Sequence, residues 1–314
     1  MLDTCGDDIL IRDTVVYFEV PTGFVRAVDH ISVTFQSGKT TGLIGESGCG
    51  KSVLALSILG LLPSYARVSG EILYRGLNIA KASAKELRTL RGRKLGLIPQ
   101  NPADSLNPVR RIGSQLDEAL MLTGNSKKVR KAKAKDLLES FGFHDPARIL
   151  RSYPFELSGG MQQRVLCAMG ISCSPRWVLA DEPTKGLDSG LREQVYETLS
   201  DVKRRNVDGM LIITHDLELT RKLCDIVAVM YAGEILEMGE DVLAKPLHPY
   251  TEAFLASLPE NGMQPMAGLP PTPGDLFKGC KFAPRCSRCF DRCKTERPDA
   301  YQCNGRMVRC FLYA

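Results

Sequence analysis

The sequence predicts an α/β protein with a parallel-sheet core, an antiparallel β subdomain, a helical subdomain and a Cys-rich C-terminal tail. A glycine-rich phosphate-binding motif lies between a short apolar strand and an apolar helix. Beyond this motif, apolar strands alternate with helices, which is typical of parallel sheets covered by helices. The last 35 residues contain six of the eleven cysteines, so the tail differs in composition from the rest.

The overall composition is typical of a globular protein, with 44% hydrophobic and 25% charged residues in a chain of 314. No apolar run reaches the length that spans a bilayer. Met1 is followed by acidic residues rather than by the basic and apolar regions of a signal peptide. We therefore expect any role at a membrane to depend on partner proteins.

The net charge of +5 is mild, and the densest basic segment is 127–135, with five Lys and one Arg. Ala and Val are interleaved with these charges, which indicates the solvated face of a helix. No aromatic residue is present there for stacking on bases, so we do not expect nucleic acid as a partner.

The N-terminal segment, residues 9–37, alternates apolar and polar side chains and predicts antiparallel β structure. Phe18 or Tyr17 could stack on an adenine ring, and only one of these neighbours can face inwards. The alternative is that both are ordinary aromatic residues of a strand.

The phosphate loop, residues 45–52, fits the pattern G-x-x-x-x-G-K-[ST]. A strand predicted over 40–44 and a helix over 53–62 would make the loop point its backbone N–H groups at one place. Lys51 can then reach the β- and γ-phosphates, and Ser52 can bind Mg²⁺. The alternative, a chance glycine-rich turn, is disfavoured by this context. The candidate nucleotide ligands are Gly45, Glu46, Ser47, Gly48, Cys49, Gly50, Lys51 and Ser52.

The remaining chain reads as alternating elements up to a proline-rich segment that begins at residue 259. Strands are predicted over 94–99, 177–180, 210–214 and 226–231. Helices are predicted over 84–91, 189–205 and 217–223, with a helix-rich block near 101–172. This block interrupts the alternation and indicates an inserted helical subdomain.

Two acids, Asp181 and Glu182, directly follow the apolar strand over 177–180. Beside a phosphate loop, Asp181 would hold the Mg²⁺ shell and Glu182 would orient or deprotonate the attacking water. Acids in surface salt bridges are the alternative, and Lys51 and Ser52 favour the catalytic interpretation.

A second anion site is predicted where Leu-Ser-Gly-Gly-Met-Gln-Gln-Arg, residues 157–164, opens a helix. Ser158 is a candidate N-cap, and Gly159 and Gly160 leave backbone N–H groups uncovered. One chain has no need for two γ-phosphate sites, whereas two chains facing head-to-tail would clamp one ATP between the loop of one and this segment of the other. Gln162 and Asp188 are further candidates at that junction.

Two more polar residues each follow a predicted strand. His215 could contact the γ-phosphate, and Gln100 could contact both Mg²⁺ and the lytic water. A core or surface histidine is the alternative for His215.

These motifs, in this order over about residues 9–240, resemble the ATP-binding subunits of ABC transporters, which are P-loop NTPases. The resemblance implies an ATPase that uses ATP and Mg²⁺. It also implies one ABC ATP-binding domain over 1–258, with its helical subdomain over about 101–172, and a separate segment over 259–314.

A narrower resemblance is to the oligopeptide/dipeptide/nickel importer group. It rests on Gln-Asn-Pro at 100–102, Tyr-Pro-Phe-Glu at 153–156 and His-Pro-Tyr-Thr at 248–251. Members of this group pair with a second, similar ATPase, two membrane permeases and an extracytoplasmic binding protein. The resemblance implies a peripheral place on the cytoplasmic face of the membrane, with residues near 101–112 receiving a permease helix.

The tail cysteines Cys280, Cys286, Cys293 and Cys310 are spaced C-x5-C-x6-C-x16-C. They resemble the C-terminal cysteines of peptide-importer ATPases, where four can hold a [4Fe–4S] cluster. Zn²⁺ and unligated thiols are the alternatives, and Cys289 and Cys303 leave the ligand set open.

The cargo stays open between peptides and nickel, because the permeases and the binding protein select it. The alternative from another class is a soluble ABC ATPase that acts as a mechanical switch on ribosomes or nucleic acid. Such chains usually carry two cassettes or a long coiled coil, and neither is evident here.

Overall fold

The structure is a computed structural model that describes residues 6–21, 23–204, 207–258, 261–272 and 277–314. They form two compact units. The first unit draws on Met1–Gln36, Thr41–Ala82 and Cys224–Ala314, and the second on Ser37–Thr40 and Ser83–Leu223. The predicted linker after residue 258 falls partly outside the described ranges, and the predicted domain boundary stays a prediction.

The first unit contains the antiparallel sheet that the N-terminal alternation predicts. Its strands, in the order β2-β1-β4-β5, are β1 (Ile9–Val20), β2 (Gly23–Phe35), β4 (Ala66–Tyr74) and β5 (Leu77–Asn78). Ile9 pairs with Phe35, and both side chains are fully buried. The apolar positions of the alternating pattern therefore supply the core of this sheet.

A second set of strands in the first unit has the order β11-β12-β10-β9-β3. It comprises β3 (Thr40–Ile44), β9 (Ile226–Tyr231), β10 (Glu234–Gly239), β11 (Tyr301–Cys303) and β12 (Arg306–Val308). β3 and β9 are parallel, as predicted, and β10 runs antiparallel to both β9 and β12. Sequence reasoning missed β11 and β12 because strands of three residues are too short to show an alternating pattern.

The helices of the first unit are α1 (Lys51–Ile58), α10 (Pro249–Ala256) and α11 (Asp291–Thr295). α1 begins two residues before the predicted start and ends four residues before the predicted end. Gly60 has a φ of +59°, a left-handed conformation typical of a helix C-terminus, and this ends the helix early.

The second unit contains a parallel sheet in the order β8-β7-β6, made of β6 (Leu95–Ile98), β7 (Trp177–Asp181) and β8 (Gly209–Ile213). β7 and β8 are buried along their whole length, which explains their continuous apolar sequence. A Cβ at Gly209 would overlap the indole ring of Trp177, so the close approach of these strands requires glycine there.

The described part of the second unit also contains eight α-helices, which precede, separate or follow these strands along the chain. They are α2 (Ala84–Leu90), α3 (Pro102–Ser105), α4 (Ile112–Met121), α5 (Lys127–Ser140), α6 (Pro146–Arg151), α7 (Gly159–Ile171), α8 (Ser189–Arg204) and α9 (Leu217–Leu223). α3 to α7 lie in the stretch where the sequence predicts a helical subdomain. In the described portion of the chain, no helix has both the length and the hydrophobicity that crossing a membrane requires.

Candidate functional site

The phosphate loop connects β3 directly to α1 in the first unit. Its glycines Gly45, Gly48 and Gly50 have φ values of +148°, +78° and +107°, which L side chains rarely adopt. A Cβ at Gly45 would overlap the carbonyl oxygen of Met230, and a Cβ at Gly50 would overlap that of Ala27. The neighbouring backbone therefore requires glycine at both positions, whether or not a ligand also approaches the loop.

Lys51 is the first residue of α1, and its side chain lies across the loop. Its Nζ donates hydrogen bonds to the carbonyl oxygens of Gly45 and Glu46, at 2.8 Å each. The thiol of Cys49 lies 3.6 Å from the same Nζ, and burial raises the pKa of this thiol. The ammonium group is thus held within the loop, where it can meet a phosphate at the N-terminus of α1.

The two adjacent aromatic residues of β1 belong to different ring pairs. The Phe18 ring lies 5.8 Å from that of Tyr65, and the Tyr17 ring lies 5.5 Å from that of Phe24, between centroids. Neighbouring residues of a strand point to opposite faces, so only one of the two can serve one adenine. The assignment of Phe18 to the adenine stays a prediction.

The catalytic candidates Glu182 and His215 are in direct contact in the second unit. The His215 Nδ1 lies 2.8 and 2.9 Å from the two carboxylate oxygens of Glu182. Glu182 is 8% exposed, whereas the His215 side chain is 64% exposed. A buried carboxylate is therefore held by a histidine whose other edge can reach solvent or a ligand.

Glu182 follows β7 with a φ of +51°, a left-handed conformation that is uncommon for a non-glycine residue. Its backbone N–H donates to the carbonyl oxygen of Ile213 on β8, at 2.8 Å. Asp181, the last residue of β7, is also buried. The left-handed turn redirects the chain between the two acids, and such backbone strain is common at functional sites.

A further carboxylate, Asp216, stands beside His215 and was not singled out from the sequence. It accepts hydrogen bonds from the hydroxyls of Tyr196 and Thr184, at 2.5 and 3.2 Å, and from the backbone N–H of Leu219. Burial alone would raise the pKa of Asp216, but these hydrogen bonds and Arg192 hold it below its usual value. Asp216 directly precedes α9, and an aspartate at such an N-cap position is the feature of the sequence by which it could have been identified.

The segment that opens α7 is exposed at Ser158 and Gly159. Ser158 caps the helix by accepting from the backbone N–H of Met161, at 3.4 Å. The Gln162 side chain donates to the carbonyl oxygens of Pro154 and Leu157, so within this chain it braces the turn before the helix. The predicted cap is present, and the N–H groups of Gly159 and Gly160 lie at an uncovered helix start.

Asp188 is exposed and accepts a hydrogen bond from the backbone N–H of Leu191, at 3.0 Å. Gln100 follows β6 and is half-buried. The predicted site residues thus divide between the units. Phe18 and the phosphate loop belong to the first, and Gln100, Ser158, Gly159, Gly160, Gln162, Asp181, Glu182, Asp188 and His215 belong to the second.

The four predicted tail cysteines surround one small cavity in the first unit, with a volume of about 10 Å³. Cys280, Cys286, Cys293 and Cys310 all line it, and Cys289 and Cys303 do not. Burial raises the pKa of Cys280 to about 12, and it also raises the pKa values of Cys286 and Cys310. Four converging thiols suit a zinc ion or an iron–sulfur cluster in their donor chemistry.

The cavity has a volume sufficient for about one water molecule. Across the described ranges, no three His, Cys, Asp or Glu side chains are close enough together to hold a metal ion as they stand. Each cysteine that the structure describes is a free thiol. The four thiols therefore converge without forming a finished ligand set.

Two family models match the chain. One, described as ABC transporter, matches residues 28–185. The other, described as oligopeptide/dipeptide transporter, C-terminal region, matches residues 236–293. The first includes the phosphate loop and both acids, and the second includes three of the four cavity cysteines.

Relatives with curated names match over nearly the full chain. The oligopeptide transport ATP-binding protein AppD of Bacillus subtilis is 39% identical over 314 residues, which cover 96% of each chain. The dipeptide transport ATP-binding protein DppD of Escherichia coli is 40% identical over 305 residues, which cover 94% of this chain and 93% of its own.

Solved structures share the fold over about three quarters of the chain. The ATP-binding cassette MJ0796, in a dimeric post-hydrolysis state bound to ADP and Pi, aligns with a TM-score of 0.68 at 23% identity, and covers 74% of this chain and 98% of its own. An ATP-binding subunit of an ABC transporter aligns with a TM-score of 0.62. The chain therefore belongs to the ATP-binding subunits of ABC transporters, in the oligopeptide/dipeptide group, and is an ATPase coupled to transport.

Proposed function

We propose that this chain hydrolyses ATP to drive the import of dipeptides or oligopeptides. The observation that carries the proposal is the match of the C-terminal segment to the oligopeptide/dipeptide transporter model, in addition to the match of the cassette. The names of the relatives, which specify oligopeptide or dipeptide transport, support peptides rather than nickel as the cargo.

In the proposed mechanism, the loop N–H groups and Lys51 bind the β- and γ-phosphates. Ser52, Gln100 and Asp181 would hold Mg²⁺, and the bound ion would supply positive charge beside the phosphates. Phe18 stacks on the adenine.

Glu182 orients the attacking water and takes its proton, because a carboxylate is the acceptor that such a water needs. The contact between Glu182 and His215 supports this assignment, since it holds the carboxylate in one place. The exposed edge of His215 is then available to the γ-phosphate.

A second ATPase subunit, either another copy of this chain or a similar one, completes the site in this proposal. The helix start at Ser158, Gly159 and Gly160, which is exposed at its first two residues, would bind the γ-phosphate held by the partner's loop. Asp188 would lie at the same junction. Gln162 would support that helix start through its bonds to Pro154 and Leu157.

We further propose that the chain works at the cytoplasmic face of the membrane with two permease subunits and an extracytoplasmic binding protein. Val109 and Phe155 in the second unit are 80% and 73% exposed. Val109 lies in the segment near 101–112 that was predicted to receive a permease helix. Phe155 stacks on Tyr153, whose ring contacts Arg111 of that segment, so the two exposed apolar side chains could belong to one contact surface.

The tail cysteines Cys280, Cys286, Cys293 and Cys310 would hold a [4Fe–4S] cluster, with Zn²⁺ as the alternative. Either group would bridge segments of the tail that contain few apolar residues. Because the four thiols are not close enough together to bind a metal as they stand, they would have to move and lose their protons when either group binds. Iron and acid-labile sulfide in anaerobically purified protein, lost when Cys286→Ser is introduced, would support the cluster. A colourless protein with stoichiometric zinc would contradict it.

Affinity purification of the tagged chain from detergent-solubilised membranes of its native host tests the assignment. We expect the permeases and the second ATPase to co-purify, and we expect peptide-loaded binding protein to stimulate ATP hydrolysis by the complex. Stimulation by nickel-loaded binding protein instead of peptide-loaded binding protein would show that the cargo is nickel. Co-purification with ribosomes or nucleic acid, without permeases, would contradict the role in transport.

A further inference from the structure

The Cys-rich tail contacts the phosphate loop through one buried ion pair in the first unit. The Arg285 guanidinium donates two hydrogen bonds to the Glu46 carboxylate, at 2.9 and 3.0 Å. Glu46 is the second residue of the loop, and 239 positions along the chain separate the two partners. This fork-shaped pairing fixes both the distance and the orientation of the carboxylate.

The pair is well shielded from water. The Arg285 side chain is 4% exposed and the Glu46 side chain is 23% exposed. Removing one partner from such a pair leaves the other charge buried without compensation, so the pair resists separation.

Glu46 is held through all three of its polar groups. Its backbone N–H donates to the Tyr250 hydroxyl at 3.0 Å, and its carbonyl oxygen accepts from the Lys51 Nζ at 2.8 Å. Arg285 holds the carboxylate. A change in the position of Glu46 therefore changes the carbonyl oxygen on which the phosphate-binding lysine rests.

The tail segment has other anchors that do not involve the loop. The Lys281 Nζ lies 2.7 Å from an Asp29 carboxylate oxygen, and the Arg297 guanidinium lies 2.9 Å from the Glu234 carboxylate. Lys281 also donates to the carbonyl oxygen of Ala232. Replacing Arg285 should thus release the Glu46 carboxylate while the segment stays in place.

We propose that Arg285 is a positioning residue of the ATP site, which holds the phosphate loop in its nucleotide-binding form through Glu46. The tail is then part of the nucleotide site rather than an appendage. The assignment does not depend on the cargo, because it concerns only the affinity of the loop for the diphosphate.

The test measures the affinity of the full-length chain for Mg·ADP by titration calorimetry, since ADP occupies the loop without turnover. We expect Arg285→Ala to raise the Kd about tenfold, and Arg285→Lys, which keeps the charge but loses the fork, to give an intermediate value. In ATPase assays, KM for ATP should rise more than kcat falls, because Arg285 does not touch the reacting atoms.

A double-mutant cycle separates loop positioning from general destabilisation. Glu46→Gln should raise the Kd about as much as Arg285→Ala, and the double variant should show no further increase. Arg288→Ala is the matched control, because Arg288 lies in the same segment and pairs with Glu252 at the surface. We expect that variant to bind Mg·ADP like the unchanged chain.

An unchanged Kd for Arg285→Ala, fully additive effects in the cycle, or an equal loss in Arg288→Ala would each overturn the proposal. If Arg285→Ala does not fold, Glu46→Gln decides the question, because the Glu46 carboxylate is the group through which Arg285 acts on the loop. An unchanged Kd in that variant would then contradict the assignment.

Discussion

A few local contacts fix the position of the Glu182 carboxylate. The residue leaves β7 with a φ of +51°, its N–H is bound to the carbonyl oxygen of Ile213, and its carboxylate meets the His215 ring. The residue that follows a strand would normally continue its direction, whereas this turn separates Glu182 from Asp181. Two neighbouring acids can consequently have different roles.

Replacing Glu182 tests its role directly. We expect Glu182→Gln to bind Mg·ATP normally and to lower kcat by at least about 100-fold, since an amide cannot accept the proton of the attacking water. Phosphate release and nucleotide affinity would be measured on the same preparation. Glu193→Gln, at a surface pair with Lys222, serves as the control. Turnover that survives in Glu182→Gln would exclude the residue as the base.

The Tyr196 hydroxyl is expected to act through Asp216, whose carboxylate it contacts at 2.5 Å. Tyr196→Phe removes this hydrogen bond and should lower kcat a few-fold with little change in KM, because His215, next in the chain, loses a support. The free energy of unfolding should fall by about 1 kcal/mol. A pure loss of stability with unchanged kcat would assign Tyr196 a structural role only.

At the scale of elements, the tail is held on the first unit by an aromatic cluster around Phe282. This side chain is 1% exposed, and its ring lies 5.4 and 5.5 Å from those of Tyr250 and Tyr231. Phe282→Ala should lower the free energy of unfolding by about 3–5 kcal/mol, since it removes the centre of the cluster. Denaturant unfolding would measure the loss, with Phe290→Ala, at a 42% exposed position, as the control. Equal losses in both variants would contradict the docking of the tail through Phe282.

The ion pairs of the tail should make stability depend on acid pH. Burial alone would raise the pKa of Asp29, but Lys281, Arg297 and Arg26 hold it below its usual value of 3.8. A lowered pKa means that the contribution of Asp29 is complete above about pH 4 and is lost as the pH falls through the folded-state pKa.

We expect Asp29→Asn to cost about 3 kcal/mol of unfolding free energy at neutral pH, because Lys281 and Arg297 lose one of the two carboxylates that they contact. The difference from the unchanged chain should shrink as the pH falls below 3.8, because the unfolded chain then binds the Asp29 proton before the folded chain does. Urea unfolding at several pH values would measure it. Asp291→Asn, at a side chain that is 98% exposed, should show no such dependence.

The strands and helices that could be predicted from the sequence are those that are marked by a pattern within a few neighbouring residues. β3, α9 and β9 have the predicted bounds, since apolar runs and polar ends mark them within a few residues. β11 and β12 carry no periodic signal because each has three residues. β12 joins the sheet by pairing with β10, far away in the chain, and β11 pairs with β12.

The same distinction holds for the site. Lys51, Asp181 and Glu182 could be predicted because a strand end and a spaced motif mark them. Arg285 and Tyr250 could not, since their contacts with Glu46 span 239 and 204 positions of sequence. No pattern in a single chain records such a pairing, and only the folded first unit reveals it.

At the scale of the whole molecule, the chain has an ATPase core and a tail that contacts it at the nucleotide loop. The tail matches the transporter C-terminal model, and Arg285 lies within the matched range. The fold is shared with cassettes solved as dimers. Because we propose that the chain works with permeases and a second ATPase, transport is best measured in the assembled complex.

Uptake by proteoliposomes is the most direct measurement. Their membrane would contain this chain with its co-purified permeases and second ATPase. ATP would be enclosed in the lumen, which takes the place of the cytoplasm, and the binding protein with labelled dipeptide would be added outside. We predict ATP-dependent accumulation of the dipeptide, abolished when Glu182→Gln in this chain is combined with the equivalent change in the second ATPase. ATP hydrolysis without peptide uptake, or uptake of nickel in its place, would contradict the account.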